Sequence, residues 1–169
     1  GAALVGASAV SEYLDGVSRR AEQFGTASDV VAYITDPATN PQPSFGAAKS
    51  SPDVRDILVI DAKGKVVSGY PAGTVGQSFS SAGWFVEAIS GKTAVGDAVA
   101  DADSGRFVLT VASPARRPGQ AVVGAVSIGV SSEDVMFALS QSPLIPGGQA
   151  ILVDHGRILA ARDSRYQGQ

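Results

Sequence analysis

The sequence predicts an α+β fold, in which a long N-terminal helix is followed by an antiparallel β-sheet that carries further helices. Two patterns predict it. Apolar residues near the N-terminus recur at helical spacing, whereas five later segments are short, apolar and separated by turn-forming residues. Strands joined mainly by short turns pair antiparallel, because a hairpin reverses the direction of the chain. The hydrophobic share of 44% is enough for a packed core in 169 residues.

The long helix is predicted over residues 1–35. Its apolar stripe repeats every seven residues, with further apolar residues between, as one face of a helix requires. The stripe consists of Val10, Leu14, Val17, Ala21, Phe24 and Val31. Gly16 and Gly25 weaken the helix, but we expect neither to end it. The stripe predicts packing against the rest of the domain, and the alternative is pairing of two such helices in a homodimer.

Strands are predicted at residues 55–60, 65–70, 93–100, 106–114 and 120–130. Gly64 in the first turn is expected to supply the positive φ that tight hairpins often need. Between the second and third strands a short helix is predicted. It is capped by Ser81, carries Trp84 and Phe85, and ends at Gly91. A last helix is predicted over residues 132–139.

Composition excludes several classes of function. Thirteen Lys and Arg against 16 Asp and Glu give a net charge of −3, which argues against binding of nucleic acid. The absence of cysteine excludes disulfides and thiolate metal sites. His155 is the single histidine, and the common catalytic and phosphate-binding motifs are absent. We therefore predict no enzyme active site in this fragment and no cofactor. No apolar run reaches the roughly 18 residues that a membrane span needs.

Three acidic residues, Asp97, Asp101 and Asp103, surround the predicted turn between the third and fourth strands. Their spacing lacks the glycine and the glutamate of a calcium-binding loop, so we predict a plain turn and no metal site. Arg55 and Arg106 are predicted to be surface strand residues, and the alternative is contact with an anion.

The motif of the first hairpin recurs near the C-terminus, where ILVDHGRIL repeats the pattern of ILVIDAKGKVV. Asp61 and Asp154 are 93 residues apart, and Gly64 and Gly156 are 92 residues apart. The 92-residue offset then holds to the end of the chain, where Gly168 and Gln169 match an earlier Gly-Gln pair.

We interpret this recurrence as a duplication, in which residues 141–149 are a linker and residues 150–169 start a second, truncated module. Two alternatives remain at this stage. Any β-hairpin can have an Asp-Gly turn between apolar strands, and the last hairpin can simply extend the first sheet.

Four stretches in order, ILVIDAKGKVV, VGQSFSSAGWFVEAISGKTAVGDAV, SGRFVLTVASPAR and VVGAVSIGVSSEDV, resemble the distal module of double Cache domains. These are the PAS-like extracytoplasmic sensor domains of bacterial chemoreceptors, histidine kinases and related transducers. The resemblance places the distal module at residues 53–140 and implies a PAS-like five-stranded antiparallel sheet after a long helix. It also implies a membrane-anchored parent protein with a cytoplasmic output such as a kinase, cyclase or phosphatase.

The resemblance further implies that a small molecule binds on the sheet of the distal module, beneath the short helix. The family has a tryptophan and a second aromatic residue in that helix, which match Trp84 and Phe85. The other residues that we expect to contact the ligand are Tyr70, Ser81, Asp101 and Arg106.

The sequence departs from the amino-acid-binding branch of this family at both charged anchors. An arginine before the tryptophan is replaced by Ala82, and an aspartate in the last strand is replaced by Gly129. The usual tyrosines are missing near Gln77 and Ala100. Because burial of a zwitterion without charged partners is costly, we expect a standard amino acid not to bind. The alternative function is a ligand-free module that serves as a dimerisation scaffold.

Overall fold

The order of helices and strands along the chain agrees with the predicted α+β fold. The structure, a computed structural model, describes residues 2–46, 54–96, 99–100, 107–131, 151–154 and 157–161, and for 2–11 and 151–161 it describes the backbone alone. The described helices are α1 (Ala2–Gly25), α2 (Ser28–Thr35) and α3 (Gly83–Ile89), with a 3₁₀ turn at Ala72–Thr74. The strands are β1 (Val54–Asp61), β2 (Val66–Tyr70), β3 (Ala94–Val95), β4 (Val99–Ala100), β5 (Phe107–Ala115), β6 (Gly124–Ser131), β7 (Ile151–Asp154) and β8 (Arg157–Ala161). The predicted helix over 132–139 and the predicted linker lie outside the described residues.

The main sheet is antiparallel and has the strand order β2-β1-β6-β5, with β3 and β4 both paired to the outer edge of β5. Within the strand predicted over 93–100, the described strand pieces are β3 and β4. The other four predicted strands lie within a few residues of their predicted positions. The predicted antiparallel sheet, with five strand positions, is confirmed.

The two N-terminal helices cover one face of this sheet. Side chains alternate between the two faces along each strand, so every second strand residue faces these helices. Val59 of β1 and Val126 of β6 pack with Val30 of α2 in one buried cluster. The partly buried rings of Phe24 and Phe45 pack against the same cluster, with their centroids 5.9 Å apart.

The opposite face carries α3, and we call it the α3 face. It is defined by Asp56, Leu58 and Ile60 of β1, Ala125, Ser127 and Gly129 of β6, Thr110 and Ala112 of β5, and Ala94 of β3, which pair across the strands. Phe85 and Ala88 of α3 are buried against Leu58, Ile60 and Ala125 in a second cluster. Packing of α3 therefore covers one part of this face.

The N-terminal helix ends at Gly25, so the prediction that this glycine leaves the helix uninterrupted is wrong. A Cβ atom at position 25 would collide with the carbonyl oxygen of Pro114, and the Arg116 N–H donates to the Gly25 carbonyl at 3.1 Å. The Thr26 hydroxyl donates to two carbonyls of the last turn of α1. Close contact with the end of β5 therefore decides where α1 stops.

The apolar stripe of α1 packs against the protein's own sheet. Val17 and Ala21 are fully buried, Phe24 is partly buried, and α1 contacts β5 and β6. The predicted packing within the domain is confirmed for this part of the helix. The side chain of Val10 lies outside the described residues.

The turn between β1 and β2 has the predicted positive φ, which is +89° at Gly64. The Asp61 Oδ1 atom accepts the N–H groups of Lys63 at 2.9 Å and Lys65 at 3.0 Å, which closes the turn. A Cβ atom at Gly64 would also lie 2.6 Å from the backbone of Ser80. Both the conformation and the close approach of the following loop require glycine.

The C-terminal hairpin forms a sheet of its own, because β7 and β8 pair with each other and, within the described ranges, with no strand of the main sheet. The proposed extension of the first sheet by this hairpin is therefore wrong for the residues described. The pairing register shifts between Leu152 and Val153 in this hairpin and between Val59 and Ile60 in the first one. Each shift lies between the two residues that directly precede the aspartate of the turn, which is Asp61 in the first hairpin and Asp154 in the last.

Candidate functional site

The backbone of the preceding loop positions α3 on the sheet. Ala82 is the N-cap residue, and its carbonyl accepts the N–H groups of Phe85 at 3.1 Å and Val86 at 3.0 Å. The prediction that Ser81 caps the helix is wrong, because the helix starts one residue later than a Ser81 cap requires, and Ser81 is exposed. Gly91 follows the last turn with φ +102°, as its predicted place at the helix end requires.

Trp84 and Phe85 are neighbours in α3 but have different surroundings. Phe85 is 5% exposed and belongs to the core beneath the helix. Trp84 is half-buried, with its ring centroid 5.2 Å from that of Phe79. A Cβ atom at Gly96 would lie 2.7 Å from Trp84 Cδ1, so the indole covers Gly96 at the edge of the sheet. Contact of these two aromatic residues with a ligand stays a prediction.

Four residues form a line across the α3 face, beside the part that α3 covers. Asp56 pairs with Gly129, Gly129 pairs with Thr110, and the Gly96 N–H donates to the Thr110 carbonyl at 2.7 Å. We call Asp56, Gly129, Thr110 and Gly96 the Asp56 row. Two of its members have no side chain, which leaves room for the Asp56 carboxylate over Gly129 and for the Trp84 indole over Gly96.

The carboxylate of Asp56 lies directly over Gly129. A Cβ atom at Gly129 would be 2.6 Å from Asp56 Oδ1 and 2.9 Å from Oδ2, so glycine leaves the space that this carboxylate occupies. Burial raises the pKa of Asp56, whereas the charge of Arg55 and a hydrogen bond with the Gly129 backbone lower it by less. The Asp56 row therefore contains a poorly solvated acidic group.

Ser127 adds a hydroxyl beside the Asp56 row. It pairs with Leu58 on one side and with Ala112 on the other, and both of these residues are on the α3 face. The side chain is fully buried, and its Oγ atom has no hydrogen-bond partner in the part of the chain that the structure describes. Buried polar atoms without a partner are uncommon and cost about 1–3 kcal/mol.

The structure separates the residues predicted to contact a ligand. Tyr70 pairs with Ile57, which alternates with Leu58 and so shares the face of the N-terminal helices. Tyr70 and Trp84 are therefore on opposite faces of the sheet, and the contact of Tyr70 with a ligand stays a prediction. Asp101 and Arg106 lie outside the described residues, so their predicted roles stay predictions.

Sequence reasoning did not select Asp56, Ser127, Thr110 or Gly96. A signal for Asp56 was present, since it alternates with the apolar residues Leu58 and Ile60 and therefore shares their buried face. Nothing in the sequence identified Ser127, because its partners come from two other strands.

A concavity lies away from the α3 face. It is an open cleft of about 430 Å³ between α2 and the turn that joins β5 to β6, and its lining includes Asp36, Asn40, Arg117 and Gln120. Asn40 donates to the carbonyls of Ala32 and Asp36, so its amide is engaged in local structure. Within the described residues, no group of three or more metal-ligating side chains is found, and no helix is long and apolar enough to cross a membrane.

Neither a protein-family model nor a curated protein matches this chain. Its fold does match solved structures. One is the sensor domain of the Vibrio cholerae histidine kinase DctB, with 12% identity, a TM-score of 0.68, and coverage of 95% of this chain and 64% of that one. Another is an extracellular ligand-binding receptor from Desulfohalobium retbaense, with 12% identity, a TM-score of 0.66, and coverage of 98% of this chain and 32% of that one.

A third similar structure is the ligand-binding domain of the Pseudomonas fluorescens chemoreceptor CtaA in complex with L-serine. Its identity is 20% and its TM-score 0.61, over 97% of this chain and 72% of that one. The chain thus spans less than two thirds of the length of the first two structures. At sequence identities this low, the similarity shows a shared fold. The chain has the fold of the Cache-type, PAS-like extracellular sensor domains of bacterial histidine kinases and chemoreceptors.

Proposed function

We propose that the chain is an extracytoplasmic sensor domain of a membrane-bound bacterial signal transducer, such as a histidine kinase or a chemoreceptor. It binds a small molecule on the α3 face of the distal module. The observation that carries this proposal is the Asp56 row, where a poorly solvated carboxylate, two glycines and a half-buried indole meet on one face. Ligand sites combine apolar area with a few directed polar groups in this way.

The fold likeness supports a sensing role for this site. Two of the similar structures are the sensor domain of a histidine kinase and a chemoreceptor domain that holds L-serine. A ligand can signal only if it binds one arrangement of the protein better than another. In this chain the sheet links the α3 face to α1 on the opposite face, so a shift of β5 or β6 on binding would reach the long helix.

We propose that residues 53–140 form the distal module and that the hairpin of β7 and β8 belongs to a second, similar module. The separate sheet of that hairpin supports this division, as does the matching position of the two register irregularities. An insertion that disturbs pairing at the same place in two hairpins is more specific than a shared turn sequence.

A homodimer through α1 is the arrangement that we propose for the intact transducer. The stripe from Val17 to Phe24 is used within the domain, so the contact would involve the opposite side of α1 or its earlier turns. Sedimentation equilibrium of the chain at high concentration tests this proposal. A dimer is expected, and a purely monomeric protein at millimolar concentration would contradict pairing through this fragment.

A thermal-shift screen tests the sensor function. The chain is heated with small carboxylates, amino acids, amines, purines and sugars, each added separately. A ligand at about 100 times its Kd adds about 2.7 kcal/mol to the free energy of unfolding, which raises Tm visibly. The shift should come from one chemical class and should be lost in Trp84→Ala.

The matched control for Trp84→Ala is Phe24→Ala, which removes a partly buried ring from the opposite face. It should lower Tm in the absence of ligand yet keep the ligand-induced shift. If no compound class raises Tm of the folded wild-type chain, the alternative function, a ligand-free dimerisation scaffold, becomes the better account.

A further inference from the structure

We propose that Asp56 and Ser127 bind the ammonium group of a small primary amine, whose carbon chain packs against Trp84. This inference rests on the proposed sensor function and names the class of ligand for the same site. It assigns the recognition of charge to β1 and β6, on residues that the sequence motifs did not indicate.

The Asp56 carboxylate determines the sign of the charge that the site accepts. The Asp56 carboxylate is held over Gly129 with both oxygens within 2.9 Å of the position of a Cβ atom there. A carboxylate in a poorly solvated position is stabilised by a cation that donates hydrogen bonds to it. An anionic ligand at the same place would add repulsion to the cost of burial.

The buried hydroxyl of Ser127 is the second polar group of the site. Ser127 lies diagonally from Asp56 across the β1–β6 pair, because Asp56 pairs with Gly129 and Leu58 pairs with Ser127. Residues in this relation have Cβ atoms about 7–8 Å apart or less, so one ammonium group between them can donate to both oxygens. The Oγ atom of Ser127 has no partner in the described part of the chain, and an N–H donor would satisfy it.

The groups at the site favour a primary amine over other cations and over a zwitterion. A metal ion needs more oxygen ligands than this pair offers, and the described residues contain no metal-ligating group of three. A quaternary ammonium group has no N–H to donate. The positions of the two charged anchors of the amino-acid-binding branch are occupied by Ala82 and Gly129, and neither residue can hold the charged groups of a zwitterion.

The body of the ligand is accommodated by the rest of the row. The Asp56 carboxylate lies over Gly129 and the Trp84 ring covers Gly96, so the open part of the row lies between them at the partly exposed Thr110. From Gly129 on β6 across β5 to Gly96 the row crosses two strand spacings, or about 10 Å. A chain of a few methylene groups fits between an ammonium group at Asp56 and the apolar face of the indole.

The test is a titration of the 169-residue chain with n-butylammonium chloride, followed by Tm and by isothermal calorimetry. The matched probes are n-butanol, which has no charge, and tetramethylammonium chloride, which has charge but no donor. We expect a saturable rise in Tm with n-butylammonium and none with the two matched probes. Asp56→Asn should weaken binding at least tenfold, because it removes a charge-assisted hydrogen bond.

Three further variants make the test specific. Ser127→Ala should weaken binding several-fold without loss of stability, since it removes an unpaired oxygen. Gly129→Ala keeps the carboxylate but displaces it, and should also weaken binding. Asp15→Asn removes one exposed charge from α1 on the opposite side of the sheet and should bind n-butylammonium as the wild type does.

The inference is overturned if n-butanol is as effective as n-butylammonium, or if Asp56→Asn binds the amine with unchanged affinity while it unfolds cooperatively. A sugar or a carboxylate could instead raise Tm of the wild type but not of Trp84→Ala, while amines have no effect. That result would support the sensor function and contradict the assignment of an amine. If no class of compound raises Tm, both the sensor function and the assignment of an amine are contradicted.

Discussion

At the scale of single residues, Asp56 and Ser127 are the polar groups least expected on the α3 face of the sheet. Both occupy positions where the pairing partners are small or apolar. One is a carboxylate whose pKa is raised by burial, and the other is a hydroxyl without a partner among the residues described. Each lowers the stability of the ligand-free fold, which makes the pair testable by stability as well as by binding.

Replacement of Asp56 by Asn should change how stability depends on pH. Burial raises the folded-state pKa above the ordinary value of 3.8. Stability from such a group is fully present below the unfolded pKa and is lost as pH rises through the folded pKa. Asn does not titrate, so the stability of Asp56→Asn relative to the wild type should increase as pH rises above the ordinary pKa of 3.8.

Urea unfolding of both proteins at several pH values measures this difference. Asp15→Asn, at an exposed position on α1, serves as the control for the loss of one negative charge. A difference for Asp56→Asn that stays constant or decreases with rising pH would show that Asp56 is well solvated in the folded protein.

Replacement of Ser127 by Ala should raise the free energy of unfolding by about 1 kcal/mol, because a buried oxygen without a partner is removed. Ser113→Ala is the matched control on the neighbouring strand. The Ser113 side chain is 2% exposed, but its hydroxyl is 3.1 Å from the Thr93 hydroxyl. The control should therefore lose about 1 kcal/mol. Equal losses in the two variants, measured by urea unfolding, would mean that Ser127 has a hydrogen-bond partner in solution.

At the scale of elements, contacts between neighbouring segments decide where helices and turns end. The α1 helix stops where Gly25 meets the end of β5, and the first hairpin turns where Gly64 meets the loop at Ser80. In each case the absence of a side chain lets two backbone segments approach, so these glycines connect elements that are distant in sequence.

Gly64→Ala should lower the free energy of unfolding by more than about 2 kcal/mol. The alanine would have to adopt a φ of +89°, and its Cβ atom would clash with Ser80. Gly76→Ala is the matched control. Its φ is +96°, but no atom lies within 4 Å of the added Cβ, so it shows the conformational cost alone. The excess loss at Gly64 in denaturant unfolding measures the close approach of the loop, and equal losses would contradict that contact.

At the scale of the whole molecule, the main sheet and the C-terminal hairpin are separate units of pairing. We expect deletion of residues 151–169 to leave Tm of the main sheet within about 4 °C, or about 1 kcal/mol for a domain of this size. Val59→Ala, in the core of that sheet, is the positive control and should lower stability by about 2 kcal/mol. Calorimetry measures Tm of both variants. If the deletion lowers stability as much as Val59→Ala does, the hairpin is part of the distal fold.

Much of the fold could be predicted because its signals are local. The alternation of apolar residues in β1, the positive φ of Gly64 and the stripe from Val17 to Phe24 depend on neighbours in sequence. The end of α1 at Gly25 could not be predicted in this way. It depends on Pro114, which is far along the chain and approaches only after the sheet has formed.

By itself the sequence determined the antiparallel α+β fold, the repeated hairpin motif and the resemblance to Cache-type sensor domains, because periodicity, turn residues and ordered motifs are properties of one continuous chain. Only the tertiary structure decided which residues meet at the site. It placed Tyr70 on the face opposite Trp84 and brought Asp56 over Gly129 beside Ser127. The physical reason is that strand register and pleat set which face a side chain occupies, and register is fixed by pairing between distant segments.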